Sequence, residues 1–364
     1  RAVGAWLANL AEHWPGALRG PAYWAISPPL LTPSKANLAI PVALPGDLDY
    51  FSPTMAKALA RWLLPAPEAP DRERFFQQTA AMLLAQRELA MVSVWSPSFL
   101  MLLDEAIRQV AGPPYLTWAE RWPKLTLVSC WTHGEAARWL PALVPILGPI
   151  TLQGKGLMAT EGITSIPMET GDPVVALSAH LIEFRGATGV CWPEETVLGD
   201  DYEIILSTQA GLYRYATGDR VRVTSWYAPG VPCLRFLGRG AAWSDLVGEK
   251  LASDFVSGVL AELAAVAWSC LLAGDRQYTL LLGGAADPAR CLAQAEQGLR
   301  ANPYYAQAVA CGQLQPLALR TVPAASLAPL LEHLAMRQGC RLGDVKLPSL
   351  VTDSDLLKHL AACS

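Results

Sequence analysis

Between Gly211 and Lys250 the chain carries three side chains that together could hold a nucleotide: Asp219 in Y-R-Y-A-T-G-D, Arg239 in F-L-G-R and Lys250 in G-E-K-L. A carboxylate accepts paired hydrogen bonds from vicinal hydroxyls such as those of a ribose. A guanidinium offers a rigid fork of donors to sugar or phosphate oxygens, and an ammonium is a compact point charge. The pattern predicts a hairpin with Asp219 at its acidic tip, a return strand ending at Gly238-Arg239, and a Gly-Glu-Lys loop opening a helix. Each residue also has a plain reading. Asp suits the geometry of a T-G-D turn, Arg239 suits a surface Gly turn, and Lys250 suits an exposed helix start.

Upstream lies Q-G-K-G-L-M-A-T-E-G, Gln153 to Gly162. Glycines at 154, 156 and 162 allow a close approach of backbone to a ligand. The Thr160 hydroxyl and Glu161 carboxylate suit a phosphate oxygen and a Mg²⁺ ion bridging ATP phosphates; the other reading is a solvated turn. Near the C-terminal end, Lys346 stands between Gly343 and Pro348. A lysine on such a loop can enter a distant site and offset charge as pyrophosphate leaves, or simply face solvent. The histidines at 13, 133, 180, 333 and 359 do not cluster, and G-x-S-x-G, H-E-x-x-H and G-x-x-x-x-G-K-[ST] are absent from the sequence. A serine hydrolase or zinc enzyme therefore has little support.

These side chains must be held by a sizeable scaffold. At 364 residues, 52% hydrophobic and 16% charged, the chain reads as a packed globular protein of two or three domains. A net charge of −4 argues against a nucleic-acid partner. The eight cysteines are scattered singly with no C-x-x-C pair, which fits a reducing cytoplasm. Phe255 to Gly274 is long and apolar enough to raise the question of a membrane span, but Glu262 lies near its middle. It reads as a buried amphipathic helix, so no membrane partner is expected. The stretch opens at Arg1 with no secretory signal pattern and reads as a truncated start.

Periodicity predicts helices over residues 1–14, 72–91, 99–110 and 135–146, with strands over 125–131 and 149–152. A hairpin-rich stretch follows from about 174 to 239, including a strand at 211–215. Beyond it come a helix at 251–272, a strand at 277–282, helices at 288–299 and 304–310, a strand at 314–322 and a helix at 325–338. The fold class is α/β. Residues 1–239 form a large N-terminal domain with a β-barrel-like subdomain, and 240–364 a small α+β domain, divided at Arg239–Ala242.

The order of these elements resembles the acyl-acid amido synthetases of the auxin-responsive Gretchen Hagen family, within the acyl-adenylating superfamily of luciferase and acyl-CoA ligases. The carrying residues are T-E-G, Y-R-Y-A-T-G-D, F-L-G-R, G-E-K-L and G-D-V-K-L-P, with V-W-S-P-S-F-L and L-R-A-N-P-Y-Y-A in support. The resemblance implies that Thr160 and Glu161 belong to the second ATP motif, with Glu161 on Mg²⁺. It implies that Gly156 and Met158 line an adenine pocket, that Asp219 binds ribose, and that Arg239 and Lys250 contact nucleotide oxygens. Lys346 would be the catalytic lysine of a mobile domain turning about residues 239–242. Two departures stand out: Met158-Ala159-Thr160-Glu161 replaces a Ser-rich run, and the family's Ser/Thr/Gly-rich phosphate loop is missing from this stretch. The resemblance implies that the stretch starts just after that loop and is weakly active alone. The implied reaction is ATP-dependent activation of a small carboxylic acid to an acyl-adenylate, then amide formation with an amine or amino acid. The alternatives are an acyl-CoA ligase or a catalytically silent adenylate-binding protein. Trp95 is a candidate for the wall of the acyl pocket, or for plain core. Nothing in the sequence speaks to oligomeric state.

Overall fold

The computed structural model describes residues 2–24, 52–65, 67, 69, 71–159, 161–169, 171–239, 243–338, 343 and 345–352. Thr160, the expected hinge residues 240–242 and the loop expected at 38–44 lie outside the described residues.

The N-terminal unit is built on four parallel strands in the order β1-β2-β3-β4: Ala22–Trp24, Met91–Ser93, Leu127–Cys130 and Thr151–Gly154. Helix α1 (Ala2–His13) places Trp6 and Leu10 one turn apart, both buried on one face of this sheet. Helices α2 (Pro53–Trp62), α3 (Arg72–Leu84), α4 (Pro97–Ala111), α5 (Trp118–Arg121) and α6 (Leu140–Leu147) complete the layer. Their starts are written in the sequence. Ser52 and Asp71 accept from the backbone N–H groups of Met55 and Arg74, and Thr117 and Glu120 form a capping box.

Two expected helices end differently. The expected 72–91 helix stops at Leu84, because the Leu83 carbonyl accepts from Gln86 N and from Trp122 Nε1, and Met91 instead opens β2. The expected 135–146 helix divides into a 3₁₀ segment, Gly134–Trp139, and α6; Pro141, lacking an N–H, sits in the first turn of α6.

A short hairpin, β5 (Met158–Ala159) and β6 (Gly162–Ile163), leads into a seven-stranded antiparallel sheet. Its strands are β7 (Ser165–Ile166), β8 (Val174–Val175), β9 (Leu181–Gly186), β10 (Gly189–Cys191), β11 (Asp201–Ser207), β12 (Tyr215–Ala228) and β13 (Val231–Arg239), ordered 10-9-11-12-13-8-7. Here the structure corrects the hairpin expected from Gly211. Residues 211–214 form no strand, and the β12–β13 turn lies at Pro229-Gly230, with Gly230 at φ +77°. Asp219 is not at a tip. It lies well inside the 14-residue strand β12, beside a register shift and next to Gly218 at φ +75°.

After β14 (Trp243–Ser244) and β15 (Leu251–Ala252), helix α7 (Ser253–Ala261) precedes a second, four-stranded sheet. Its strands β16 (Trp268–Ala273), β17 (Tyr278–Gly283), β18 (Ala318–Val322) and β19 (Leu350–Val351) are ordered 18-17-16-19. Helices α8 (Pro288–Leu299), α9 (Pro303–Ala310) and α10 (Leu327–Gln338) pack on it. The expected 251–272 helix is thus a nine-residue helix followed by a strand. W-S-C-L-L-A is buried on both faces, and an unbroken apolar run has the same composition in a buried strand as in a buried helix. Alternation along β16 sends Trp268, Cys270 and Leu272 into one cluster and Leu271 and Ala273 into another. The first cluster is shared with Phe75, Phe99 and Trp118 of the N-terminal unit, so one apolar core runs across both. Among the described residues, no helix is long and apolar enough to cross a membrane.

Candidate functional site

A small cavity of about 40 Å³ opens where the segments after β3 and β4, the start of β5, β13 and the loop before β19 meet. Its lining includes Trp131, His133, Gly156, Met158, Phe236 and Lys346. The Lys346 ammonium lies 4.5 Å from the Trp131 ring centre and 5.2 Å from that of Phe236, within the range of a cation–π contact. Its neighbours Val345 and Leu347 are buried, while Lys346 itself is exposed.

The segment carrying Lys346 is clasped by the 3₁₀ turn that follows β3. The half-buried Arg138 donates from its guanidinium to the carbonyls of Leu347 at 2.5 Å and Ser269 at 2.8 Å. Ser349 Oγ lies 2.6 Å from Glu135 Oε1 and 2.8 Å from the carbonyl of Ser253. Burial pulls the Arg138 pKa down, with the nearby Glu135 charge opposing it.

A polar network stands behind His133, its one member that lines the cavity. His133 Nε2 is 3.1 Å from Asp172 Oδ1, and the other carboxylate oxygen accepts from Thr224 Oγ1 at 2.6 Å and meets Arg235 at 3.0 Å. Burial, aided by the Arg235 charge, holds the His133 pKa below its ordinary value against the pull of Asp172. Burial pushes Asp172 up, but the Thr224 hydrogen bond and the charges of His133 and Arg235 outweigh it, and its net shift is down. The result is a cavity histidine whose carboxylate partner is itself fixed by hydrogen bonds.

The structure brings Gly156, Met158 and Lys346 into this one cavity. A Cβ on Gly156 would stand 1.9 Å from the Ser165 carbonyl oxygen, so glycine is required there by the chain's own backbone. Glu161 is half-buried on the β5–β6 turn and is not among the cavity's lining residues. Asp219 is 3% exposed and two residues before Val221, which does line the cavity. Its backbone pairs with that of Arg239 across β12 and β13. Lys250 is exposed, at φ +49° and outside the cavity. In G-E-K the buried side chain is Glu249, which accepts from Leu246 N and Val247 N and is bonded to the Tyr278 hydroxyl. Among the described residues, no three His, Cys, Asp or Glu side chains are grouped as a metal site.

Sequence reasoning missed Trp131, Phe236, Arg138 and the His133–Asp172–Arg235 network. Trp131 and His133 immediately follow a buried parallel strand, the position where α/β sheets place ligands, and that was a usable signal. Asp172 and Arg235 are distant in sequence and gave none.

Comparison with known proteins agrees with the order of these elements. Residues 185–239 match the GH3 family central domain and residues 259–355 the GH3 family C-terminal domain. The chain is 24% identical over 271 residues to the probable indole-3-acetic acid-amido synthetase GH3.1 of Arabidopsis thaliana, covering 66% of this chain and 45% of that protein. It is 25% identical over 279 residues to the probable indole-3-acetic acid-amido synthetase GH3.9 of Oryza sativa subsp. japonica, covering 66% and 63%. Against the GH3.1 protein of that rice it is 28% identical over 191 residues, 45% of this chain and 30% of the relative. The chain thus spans about a third to two thirds of these relatives. Among solved structures it is similar to the AtGH3.15 acyl acid amido synthetase in complex with 2,4-DB (TM-score 0.75, 18% identity, 98% of this chain, 76% of that one). It is also similar to 2-hydroxyisobutyryl-CoA ligase in the postadenylation state in complex with 2-HIB-AMP (TM-score 0.60, 13% identity, 98% and 72%). The mixed α/β fold is shared with these two structures. Over residues 185–239 and 259–355 the chain is thus similar to the central and C-terminal domains of the GH3 family.

Proposed function

We propose that this chain belongs to an ATP-dependent ligase that activates a small carboxylic acid as its acyl-adenylate and passes the acyl group to an amine or amino acid. The observation that carries the reading is the convergence of Lys346 with Gly156, Met158, Trp131 and Phe236 in one cavity. Flat aromatic faces beside Met158 suit a purine. A cation above them suits the charge that grows on the α-phosphate and the departing pyrophosphate when the acid's carboxylate attacks.

In this reading Asp219 receives the ribose hydroxyls, and Arg239 and Lys250 serve the nucleotide's oxygens. Thr160 and Glu161 stand at the phosphates. Glu161 is a single carboxylate on a turn, a donor set that fits Mg²⁺ held mainly by nucleotide phosphates. When bound, that ion would neutralise phosphate charge. The chain divides at residues 239–240 into a large adenylate-forming domain and a small C-terminal domain whose motion exchanges the two half-reactions. Burial pushes the thiols of Cys130 and Cys270 up to about 12, leaving them unreactive, and a reducing cytoplasm suits them.

The test is acid-dependent exchange of pyrophosphate into ATP, with hydroxylamine trapping of the activated acid across a panel of acids. The trapped acid is then offered to amino acids or to CoA. Amide formation is expected; thioester without amide would overturn the second step, and no exchange with any acid would overturn the first.

A further inference from the structure

His133 ends the segment that leaves β3 for the 3₁₀ turn Gly134–Trp139, and it lines the same cavity as Lys346. Gly134 begins that turn at φ +57°, and a Cβ on it would come within 3.2 Å of the Phe236 ring. Glycine thus lets the backbone pass close over Phe236. A second cavity, of about 450 Å³, lies between the 3₁₀ turn, the end of β13 and α7, and Phe236 and Lys346 line both cavities. Gly134 and Arg235 line the second one, so His133 stands where the two adjoin.

Amide formation needs a base, because an amine reaches a site at neutral pH as an ammonium with no electron pair to attack with. His133 Nε2 faces Asp172 Oδ1 at 3.1 Å, so Nε2 carries the ring's proton and Nδ1 the lone pair. Asp172 is fixed in turn: Thr224 Oγ1 donates to it at 2.6 Å and Arg235 meets it at 3.0 Å. A base oriented by a carboxylate is the arrangement that moves protons in acyl transfer. Burial keeps this imidazole neutral at pH 7, the state that accepts a proton, and the Asp172 charge would then steady the imidazolium. The other charged groups around it are Lys346 and Lys155, which line the same cavity, and Glu135 on its own turn, bonded to Ser349.

We propose that His133 is the general base of amide formation and that Asp172 positions it. Nδ1 takes one proton from the acceptor's ammonium. The freed nitrogen pair forms the C–N bond at the acyl carbon. The bond from that carbon to the phosphate oxygen breaks, and its electron pair leaves with AMP. A second proton passes from nitrogen to solvent. Acyl-adenylate and ammonium thus give amide, AMP and two protons, one of them held on His133 until it too is released. The proposal rests on the adenylation reading above and adds a residue to its second step.

The experiment gives the full chain ready-made acetyl-, benzoyl- and indole-3-acetyl-adenylate, which bypasses the first step. Discharge is followed with subsaturating alanine, aspartate or phenylalanine, whose amines are protonated, and with hydroxylamine, which is already unprotonated at neutral pH. With the native chain, the amino-acid rate is expected to stay level from about pH 7 to 8.5. A rate that climbs about tenfold per pH unit, as free amine does, overturns the proposal without recourse to any variant. At pH 7, His133→Gln is expected to lower the amino-acid rate about 10²- to 10⁴-fold relative to its own hydroxylamine rate, and to bring that climb back. Asp172→Asn should move the same ratio in the same direction. A folded His133→Gln chain, checked by circular dichroism, that loses both rates equally or neither overturns the proposal, as does discharge by the native chain to hydroxylamine alone. No acceleration of any adenylate with either nucleophile sinks instead the adenylation reading beneath it.

Discussion

Arg138 donates to the main-chain carbonyl of Leu347, the residue next to Lys346. A half-buried arginine of the N-terminal unit thereby fixes the backbone that carries the cavity's cation. Replacing it with methionine leaves the carbonyls of Leu347 and Ser269 without this donor and Glu135 without its neighbouring charge. Arg138→Met is expected to cost about 2–4 kcal/mol, read as a lower urea midpoint at unchanged slope. It should also weaken acid activation, but less than Lys346→Ala does at equal folded fraction, because it acts only through the position of that lysine.

Lys346→Ala tests the cation itself. The side chain is exposed between two buried neighbours, so its removal should leave the urea midpoint within about 0.5 kcal/mol. Pyrophosphate exchange should fall about 10²-fold or more, the scale for losing one preorganised charge at a transition state. Unchanged exchange would remove Lys346 from the site.

The wall of the cavity should respond to acid. His133 is held below its ordinary 6.5 chiefly by burial, so the unfolded chain binds its proton first. Between the folded value and pH 6.5 the unfolded state carries more protons, and stability rises with pH. The contribution is complete above about pH 6.5 and is lost as pH falls through the folded value. Asp172, whose net shift is also down, acts in the same sense below its ordinary 3.8. Urea midpoints taken from pH 7.5 to 5 should decline, and His133→Gln should flatten that decline. An equal slope in the variant would show that His133 is not its source.

Gly156→Ala should be severe. The new methyl would meet the Ser165 carbonyl oxygen at 1.9 Å, a backbone atom that cannot turn aside. A loss of at least about 2 kcal/mol is expected, measured by thermal or urea unfolding. A neutral result would mean that the segment joining β4 to β5 does not pack this closely on β7.

Much of this was legible in the residues. Caps and proline-glycine stops located α1, α4, α8 and α9 closely, because those signals are local. The lysine loop at Lys346 could be singled out by its glycine and proline boundaries. The errors came where burial overrides periodicity. W-S-C-L-L-A joined the preceding helix because an apolar run has no period, and it became a strand because sheet neighbours cover both faces. Asp219 was placed at a turn because Thr-Gly-Asp is turn-like; a bulge inside a long strand uses the same residues. Glu249 was overlooked because its partners, the Leu246 and Val247 amides and Tyr278, meet only after folding.

The apolar core that passes from Phe75 and Phe99 to Cys270, Leu281 and Leu330 has a further consequence for handling the protein. A scissile site engineered near residue 240 would not yield two independent modules. The C-terminal piece would leave with Leu327, Leu330 and Leu331 stripped of their cover, and it would self-associate or be degraded. Any excursion of that piece during turnover must therefore be a slide along a greasy seam, with new cover found as the old is given up, rather than a swing into water.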